Sequence, residues 1–438
     1  MHRNGSHTVI DFLFQTGIAS EEKISGVYFV LRSARTIFAL IKQPSPLMKK
    51  PLILLLLLAA SLTGLPAADD ADTYTNPIIA RSLPDPSVVR ARDGLFYLYA
   101  TENIRNTPIY RSPDLVHWDF VGTAFTDATR PRKIDGSLWA PDINYIAGKY
   151  VLYYSQSTWG GEWDCGIGVA TADYPEGPFT DVDTLFTSRG IGVQNSIDPF
   201  YIEDEDSGRK YLFWGSFRGI YAIELANDGL SVKQGAEKVQ IAGGRTEGTY
   251  IIRHDGYYYL IGSAGTCCEG LNSTYNLLVA RSKDLLGPYV NRNGTKALDD
   301  GFSQLLIGSN KVKGPGHNAE FMEDDNGTFY IIYHGYEASD PDGGRKVFMD
   351  PILWDRGGWP TVRNMRPSEK ATAPVFRHDV EGERALASPV PLGDPYILNA
   401  GGIYYAYGTH DDTGIEVYSS TDLANWTFLG LAIDTLNS

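Results

Sequence analysis

The sequence predicts an all-β protein, a five-bladed β-propeller followed by the truncated first blade of a second propeller. Three observations carry that expectation. Glycine (46 residues) and tyrosine (27 residues) are abundant in the 438-residue chain, a mix that suits short strands joined by tight turns. One block recurs along the chain: a polar residue, a short apolar strand, a turn containing glycine and an aromatic-rich strand. Its five copies lie roughly 50–70 residues apart, as in repeat folds whose units are four-stranded sheets. With 43% apolar and 21% charged residues a disordered chain is excluded. The formal charge of −15 argues against a nucleic acid or an anionic membrane as partner, since both need a basic face.

Before the repeats, Met48-Lys49-Lys50 precedes an apolar run from Leu52 to Leu62 and a small-residue stretch through Ala67. That is the pattern of a secretory signal peptide over residues 48–67. The run is too short to span a bilayer, which needs about 20 apolar residues. A signal peptide belongs at the N-terminus, so residues 1–47 are expected to be a mis-called upstream extension and Met48 the true start. The expectation is a secreted protein with no membrane association after cleavage. Residues 1–67 carry seven basic and three acidic side chains, so their removal takes the charge from −15 to −19. Cysteines are three, Cys165, Cys267 and Cys268, too few for a disulfide framework. The adjacent pair leaves open a vicinal disulfide or two free thiols.

The first blade opens at Asp85-Pro86-Ser87-Val88-Val89 and turns at Asp93-Gly94 into Leu95-Phe96-Tyr97-Leu98-Tyr99. The second runs from Ala140-Pro141-Asp142-Ile143 through Ala147-Gly148 to Tyr150-Val151-Leu152-Tyr153-Tyr154. The third begins Asp198-Pro199-Phe200 and turns at Ser207-Gly208 into Tyr211-Leu212-Phe213-Trp214. The fourth begins Glu247-Gly248-Thr249-Tyr250 and turns at Asp255-Gly256 into Tyr257-Tyr258-Tyr259-Leu260. The fifth begins His317-Asn318-Ala319-Glu320 and turns at Asn326-Gly327 into Phe329-Tyr330-Ile331-Ile332-Tyr333. Asp-Gly and Asn-Gly are strong hairpin signals, because both positions must accept positive φ. The tail resumes the pattern at Asp394-Pro395-Tyr396 and ends in Trp426-Thr427-Phe428. It matches the first blade specifically: Gly94 with Gly402, Tyr97 with Tyr405, Tyr99 with Tyr407, Asp114-Leu115 with Asp422-Leu423, and Trp118 with Trp426. Residues 377–438 are therefore expected to be the first blade of a second propeller, cut off at Ser438.

In a propeller the inner strands line one central channel, so residues at equivalent strand ends converge. Here they are Asp85, Asp142, Asp198, Glu247 and His317. Four carboxyls and an imidazole in one pocket are costly as mere packing, since like charges repel and desolvated charges need partners. Two chemistries use such a pocket: glycoside hydrolysis by a carboxylic acid and a carboxylate, and a cation held by carboxylates. Trp139, Trp159, Trp163 and Trp214 lie near strand ends and favour a sugar, although any one tryptophan is more often core.

A series of motifs appears in order: Pro84-Asp85-Pro86, Trp139-Ala140-Pro141-Asp142-Ile143, Asn195-Ser196-Ile197-Asp198-Pro199, Thr246-Glu247-Gly248, Gly314-Pro315-Gly316-His317-Asn318, Met349-Asp350-Pro351 and Gly358-Trp359-Pro360. Over about residues 74–376 the chain resembles glycoside hydrolase family 43. The resemblance implies a five-bladed propeller that cleaves arabinose- or xylose-containing polysaccharide with inversion. It places the general base on Asp85, the general acid on Glu247, and an aspartate that tunes and orients on Asp198. It makes Trp139, Asp142, Asn195 and Ser216 substrate-binding, and gives His317 a water-mediated hold on calcium in the channel. No organic cofactor is implied, and the protein is expected to act as a monomer on arabinan or arabino- or xylo-oligosaccharides.

Cys267-Cys268-Glu269-Gly270-Leu271-Asn272-Ser273-Thr274-Tyr275 and the Gly-Pro-Gly-His run are most similar to the arabinanases, which cut α-1,5-linked arabinan. The acid motif departs: Thr246-Glu247-Gly248-Thr249 stands where arabinanases more often have Glu-Ala-Pro, and the xylosidase-like branch Glu-Gly-Pro. An exo-acting β-xylosidase or α-L-arabinofuranosidase of the same family therefore stays open. A non-catalytic glycan-binding propeller is disfavoured because all three catalytic positions are filled. A fructan-cleaving propeller is disfavoured because its Asn-Asp-Pro-Asn nucleophile motif is absent at Leu83-Pro84-Asp85-Pro86. In inversion the working carboxyls stand roughly 6.5–9.5 Å apart, the base ionised and the acid protonated. An anionic Asp198 is expected to raise the pKa of Glu247.

Overall fold

The computed structural model describes residues 73–376, 392–400, 403–409, 414–421, 423 and 426–433. The expected extension over 1–47 and signal peptide over 48–67 lie outside the described residues, as do Gly402 and Asp422 of the tail alignment.

Each repeat folds into a four-stranded antiparallel sheet. Sheet 1 is Ser87–Arg90, Phe96–Tyr99, Pro108–Ser112 and Asp119–Thr123. Sheet 2 is Ser137–Ile146, Lys149–Ser157, Gly166–Ala172 and Thr180–Thr187. Sheet 3 is Phe200–Glu203, Lys210–Trp214, Ile220–Glu224 and Val239–Ala242. Sheet 4 is Glu247–His254, Tyr257–Ala264, Asn276–Ser282 and Ser303–Leu306. Sheet 5 breaks its first strand into Val312–Asn318 and Met322–Glu323, both paired to Phe329–Glu337, which in turn pairs with Arg345–Pro351.

The hairpin turns lie where their residues allow. Ala147-Gly148 and Asp255-Gly256 both place two successive residues at positive φ (49° and 87°, 47° and 69°), matching the right-handed twist of the flanking strands. At the other three turns the glycine alone takes positive φ. The aromatic-rich second strands are buried on both faces; Phe96–Tyr99 and Tyr150–Ser157 are buried throughout. That explains why these strands read as continuous apolar runs without alternation. Each fully buried large side chain contributes about 1.5–3 kcal/mol.

The core runs between sheets. Tyr97, Tyr99, Leu152 and Phe179 join sheet 1 to sheet 2, and Val151, Val169, Leu212 and Trp214 join sheet 2 to sheet 3. Phe213, Tyr259, Leu278 and Ile331 span sheets 3 to 5, and Leu98, Tyr110, Ile332 and Met349 join sheet 5 back to sheet 1. The start of the described chain is fastened to the far end: Ile79 bridges Val347, Tyr74 Oη donates to the Met349 carbonyl at 2.7 Å, and Thr73–Thr75 pairs with Lys370–Thr372.

A sixth four-stranded sheet comprises Gly393–Ala400, Ile403–Thr409, Ile415–Ser420 and Thr427–Ile433. Its register repeats that of sheet 1: Tyr396 faces Tyr407 as Ser87 faces Tyr99. Asp394 has φ 47° where Asp85 has 55°. It leaves many large apolar side chains exposed, among them Tyr396, Ile397, Phe428 and Leu429, where the first five sheets expose only scattered ones such as Phe120 and Val182.

Candidate active site

The site is built on a repeated backbone kink. Asp85, Ala140, Asp198 and His317 stand at the inner-strand positions of sheets 1, 2, 3 and 5 with φ of 55°, 37°, 58° and 45°. Left-handed backbone is unfavourable for residues other than glycine and persists only where its surroundings hold it. Here the hold is the same each time. Each kinked N–H donates to a side chain at the end of the second strand of the preceding sheet: Ala140 to Thr101 Oγ1 (2.7 Å), Asp198 to Ser155 Oγ (2.8 Å), His317 to Ser263 Oγ (2.8 Å), and Asp85 to His334 Nδ1 (3.0 Å). Asp85 thus takes its partner from sheet 5, so the series runs on from the last of the five to the first.

Asp85 lies among cations and donors. Thr101 Oγ1 donates to its Oδ2 at 2.6 Å, Arg345 Nη1 is 3.1 Å from its Oδ1, and His317 Nδ1 is 3.2 Å away. Burial works against its charge, but Arg345 and His317 hold the carboxyl well below the usual carboxylate range. Asp85 is therefore favoured as an anion. His334 is fully buried, its Nδ1 accepts the Asp85 N–H, and burial with the nearby Arg345 pushes its pKa well down. It is a neutral imidazole, so its 3.3 Å approach to Asp85 Oδ1 is not an ion pair.

Glu247 opens the first strand of sheet 4 and is 9% exposed. Ser216 Oγ donates to its Oε2 at 2.5 Å and Tyr275 Oη to its Oε1 at 2.7 Å. Burial raises its pKa; the Ser216 and Tyr275 hydrogen bonds and His317 lower it, and the Asp85 charge adds to the rise. Asp198, with Oδ2 accepting from Gly248 N at 3.2 Å, is pushed up to about 8, chiefly by burial; His317 opposes the rise, and the Glu247 and Asp85 charges add to it. The expected arrangement, an anionic Asp198 raising Glu247, is thus corrected: burial is the main cause for both, and Asp198 is itself lifted far above the usual carboxylate range. Asp198 keeps its proton near neutral pH, and burial favours the protonated form of Glu247 as well.

Gly248 accounts for the departure in the acid motif. Its φ is +59°, and a Cβ there would lie 3.1 Å from the His317 ring, so a side chain would be strained and would press on the imidazole. Gly316 is as closely bound: an added Cβ would lie 2.2 Å from the Tyr275 ring. Tyr275 in turn stacks on His334, with centroids 5.6 Å apart and planes 13° from parallel. The partner of the Asp85 N–H and the partner of the Glu247 carboxyl are therefore packed face to face.

Sequence reasoning brought Asp85, Asp198, Glu247 and His317 together correctly, and the structure moves two others. Asp142 does not join them and is not placed to bind substrate. It is 3% exposed, its Oδ2 accepts from Tyr201 N (2.9 Å) and Asn144 Nδ2 (2.7 Å), and it hydrogen-bonds Glu320. Glu320 accepts from Ser87 Oγ (2.9 Å) and Val88 N (2.6 Å). Burial raises the pKa of both members of this pair; the Glu320 charge adds to the rise at Asp142, whereas the hydrogen bond from Asp142 lowers Glu320. Ser216, buried at 1% exposure, holds the Glu247 carboxyl and presents no free hydroxyl to a ligand. Asn195 is half-buried at φ 57°, with its Nδ2 donating to the Ser216 carbonyl at 3.2 Å. Trp139 is half-buried and meets Trp159 edge to face at 6.5 Å; Trp159 is 81% exposed. Trp163 is also exposed, whereas Trp214 is fully buried core.

His317 is not arranged as a direct calcium ligand. Burial opposes its charge, yet the Asp85, Asp198 and Glu247 carboxyls push it up to about 9, and a protonated imidazole has no lone pair to offer. Calcium takes roughly six to eight oxygens. Among the described residues no group of three or more His, Cys, Asp or Glu side chains is arranged to hold a metal ion. Cys267 and Cys268 are joined in a vicinal disulfide at the tip of the loop that carries Tyr275, and Cys165 is a buried free thiol.

The glycosyl hydrolases family 43 model matches residues 74–360. The extracellular exo-α-(1→5)-L-arabinofuranosidase of Cellvibrio japonicus is 34% identical over 307 residues, covering 64% of this chain and 85% of that protein. The extracellular endo-α-(1→5)-L-arabinanase 1 of Bacillus subtilis is 32% identical over 293 residues, covering 64% of this chain and 87% of that protein. Among solved structures, the Cellvibrio cellulosa α-L-arabinanase complexed with arabinohexaose superposes with a TM-score of 0.59 at 32% identity, covering 64% of this chain and 95% of that one.

Proposed function

The chain belongs to glycosyl hydrolases family 43, and from that premise we propose that it is a secreted inverting hydrolase of α-1,5-linked arabinan, with Asp85 as general base and Glu247 as general acid. The observation that carries the reading is the contrast between these two carboxyls. Asp85 is held ionised by Arg345, His317 and Thr101, while Glu247 is buried and raised. Opposed environments for two acids in one site are what acid–base cleavage of a glycoside needs.

In the proposed step Asp85 takes a proton from water as that water attacks the anomeric carbon. The glycosidic bond breaks, and Glu247 gives its proton to the departing oxygen. Asp198 acts by position: its Oδ2 holds the Gly248 N–H and so fixes the strand that carries Glu247. Trp139 and Trp159 offer aromatic faces beside Ala140, which suits a furanose ring. Relatives that act on α-(1→5) linkages support arabinan over the xyloside alternative, and two that are named extracellular support secretion.

We also read the five sheets as the blades of one closed ring. Shared cores run from sheet 1 round to sheet 5 and back, and the Ile79–Val347 bridge fastens the chain start to sheet 5. Sheet 6 repeats the first blade.

The test is hydrolysis of linear 1,5-arabinan set against an aryl β-xyloside. Cleavage of arabinan and not of the xyloside is expected; the reverse preference would refute the arabinan reading. Asp85→Asn and Glu247→Gln should each lower kcat by about 10²–10⁴-fold or more while the protein stays folded.

A further inference from the structure

Arg245, Lys313 and Arg366 line one cavity of about 460 Å³, together with Thr274, Tyr275 and Gln304, and no carboxylate borders it. That runs against the composition, since the chain carries 53 acidic residues to 38 basic ones. Among the described residues none of the three cations is ion-paired. Arg245 Nη1 donates to the Asp300 backbone carbonyl at 3.0 Å and its backbone N–H to Asp300 Oδ1 at 3.1 Å, so the guanidinium itself meets no carboxylate. Three cations gathered without a direct ion-pair partner repel one another and make a positive potential that an anion relieves.

The place of the cavity says which part of a substrate would reach it. Tyr275, which borders it, holds the Glu247 carboxyl. Arg245 precedes Glu247 by two positions, and Lys313 lies on the same strand as His317. The lining comes from sheets 4 and 5 and the segment at Arg366, with none from sheets 1 and 2, which carry Asp85 and Trp139. The acid protonates the departing oxygen, so its side of the site faces the leaving group.

We propose that this cavity is a subsite for a carboxylated sugar, a hexuronate attached to the leaving-group side of the arabinan being cut. Arabinofuranose itself is neutral and gives these cations nothing to pair with. A uronate carboxylate matches the planar fork of Arg245 or Arg366 and the point charge of Lys313. This assignment of side rests on Glu247 being the acid.

The test is isothermal titration of the Glu247→Gln protein, in which binding is read without turnover, in separate arms with trigalacturonate, neutral arabinotriose and inorganic phosphate. Trigalacturonate should bind, more weakly as salt rises, and roughly tenfold more weakly in the Lys313→Gln/Arg366→Gln double variant. Arabinotriose affinity should not change in that variant. If the double variant does not fold, the single Lys313→Gln variant reads the same loss. Equal trigalacturonate affinity with and without the cations, or phosphate binding as tight as the uronate, would overturn the proposal. Hydrolysis of linear arabinan by the unsubstituted enzyme is measured alongside. Its failure would sink the arabinan reading while leaving the uronate titration to stand or fall by itself.

Discussion

At the scale of residues, the pH dependence follows from the surroundings of a few carboxyls. Asp85 is held well below the usual range, so the base stays ionised and the acid limb of kcat/KM should lie below the ordinary aspartate value of about 3.9. On the alkaline side Glu247, raised by burial, loses its proton, and activity should fall with an alkaline limb above the usual carboxylate range. Tyr275→Phe removes a hydrogen bond that stabilises ionised Glu247. A pH–rate profile of that variant should show the alkaline limb moved upward and kcat lowered by about tenfold; an unmoved limb would deny Tyr275 its role. Gly248→Ala should cost about 1–2 kcal/mol in a denaturant titration, from positive φ and the His317 contact.

The carboxyls proposed as catalytic were legible in the sequence because each opens a repeat just before an inner strand. Asp142 was misplaced for a reason of geometry. In sheet 2 the kinked residue equivalent to Asp85 is Ala140, and Asp142 lies two residues on, one step further along the same strand face. There its equivalent in sheet 1 is Ser87, and it pairs with Glu320. Arg345 and His334 gave no local signal, since they reach Asp85 from positions 260 and 249 residues away in the chain. Thr101, Ser155 and Ser263 did leave one: each lies seven residues past the turn glycine of its repeat (Gly94, Gly148, Gly256), a repeat of hydroxyls that escaped notice beside the repeat of acids.

At the scale of elements, the sheets are linked by side chains that cross between them. The Asp142–Glu320 pair does so at depth: Glu320 of the fifth repeat accepts from Ser87 and Val88 of sheet 1, and Asp142 of sheet 2 accepts from Tyr201 of sheet 3. Removing one member leaves the other buried among partners arranged for two. Glu320→Ala should therefore cost about 3–5 kcal/mol, read by chemical denaturation. Glu320→Gln, which keeps hydrogen-bonding atoms and removes the charge, should cost much less. Equal losses in the two would mean the pair matters only as packing. The strand order of these sheets was legible from turn residues and aromatic runs. The seams between them were not, because they depend on long-range pairs.

At the scale of the whole molecule, several buried groups favour the protonated form, and together they set how stability follows pH. Asp198 titrates near 8 when folded and near 4 when unfolded, so the native state keeps a proton that the unfolded chain releases. Its contribution is fully present below about pH 4 and is lost as pH rises through about 8. His317 has the same sign: it contributes fully below about 6.5 and is lost as pH rises through about 9. Asp85 has the opposite sign, its contribution being present above about 3.9 and lost only in stronger acid. Melting temperature should decline steadily from mildly acidic to alkaline pH, and a flat profile across that range would contradict these assignments. The central claim, that Asp85 and Glu247 cut α-1,5-arabinan by single displacement, is tested most directly by proton NMR of the first product formed from linear 1,5-arabinan. The β-anomer of the new reducing end appearing first, before mutarotation, is the predicted result, and the α-anomer appearing first would contradict it.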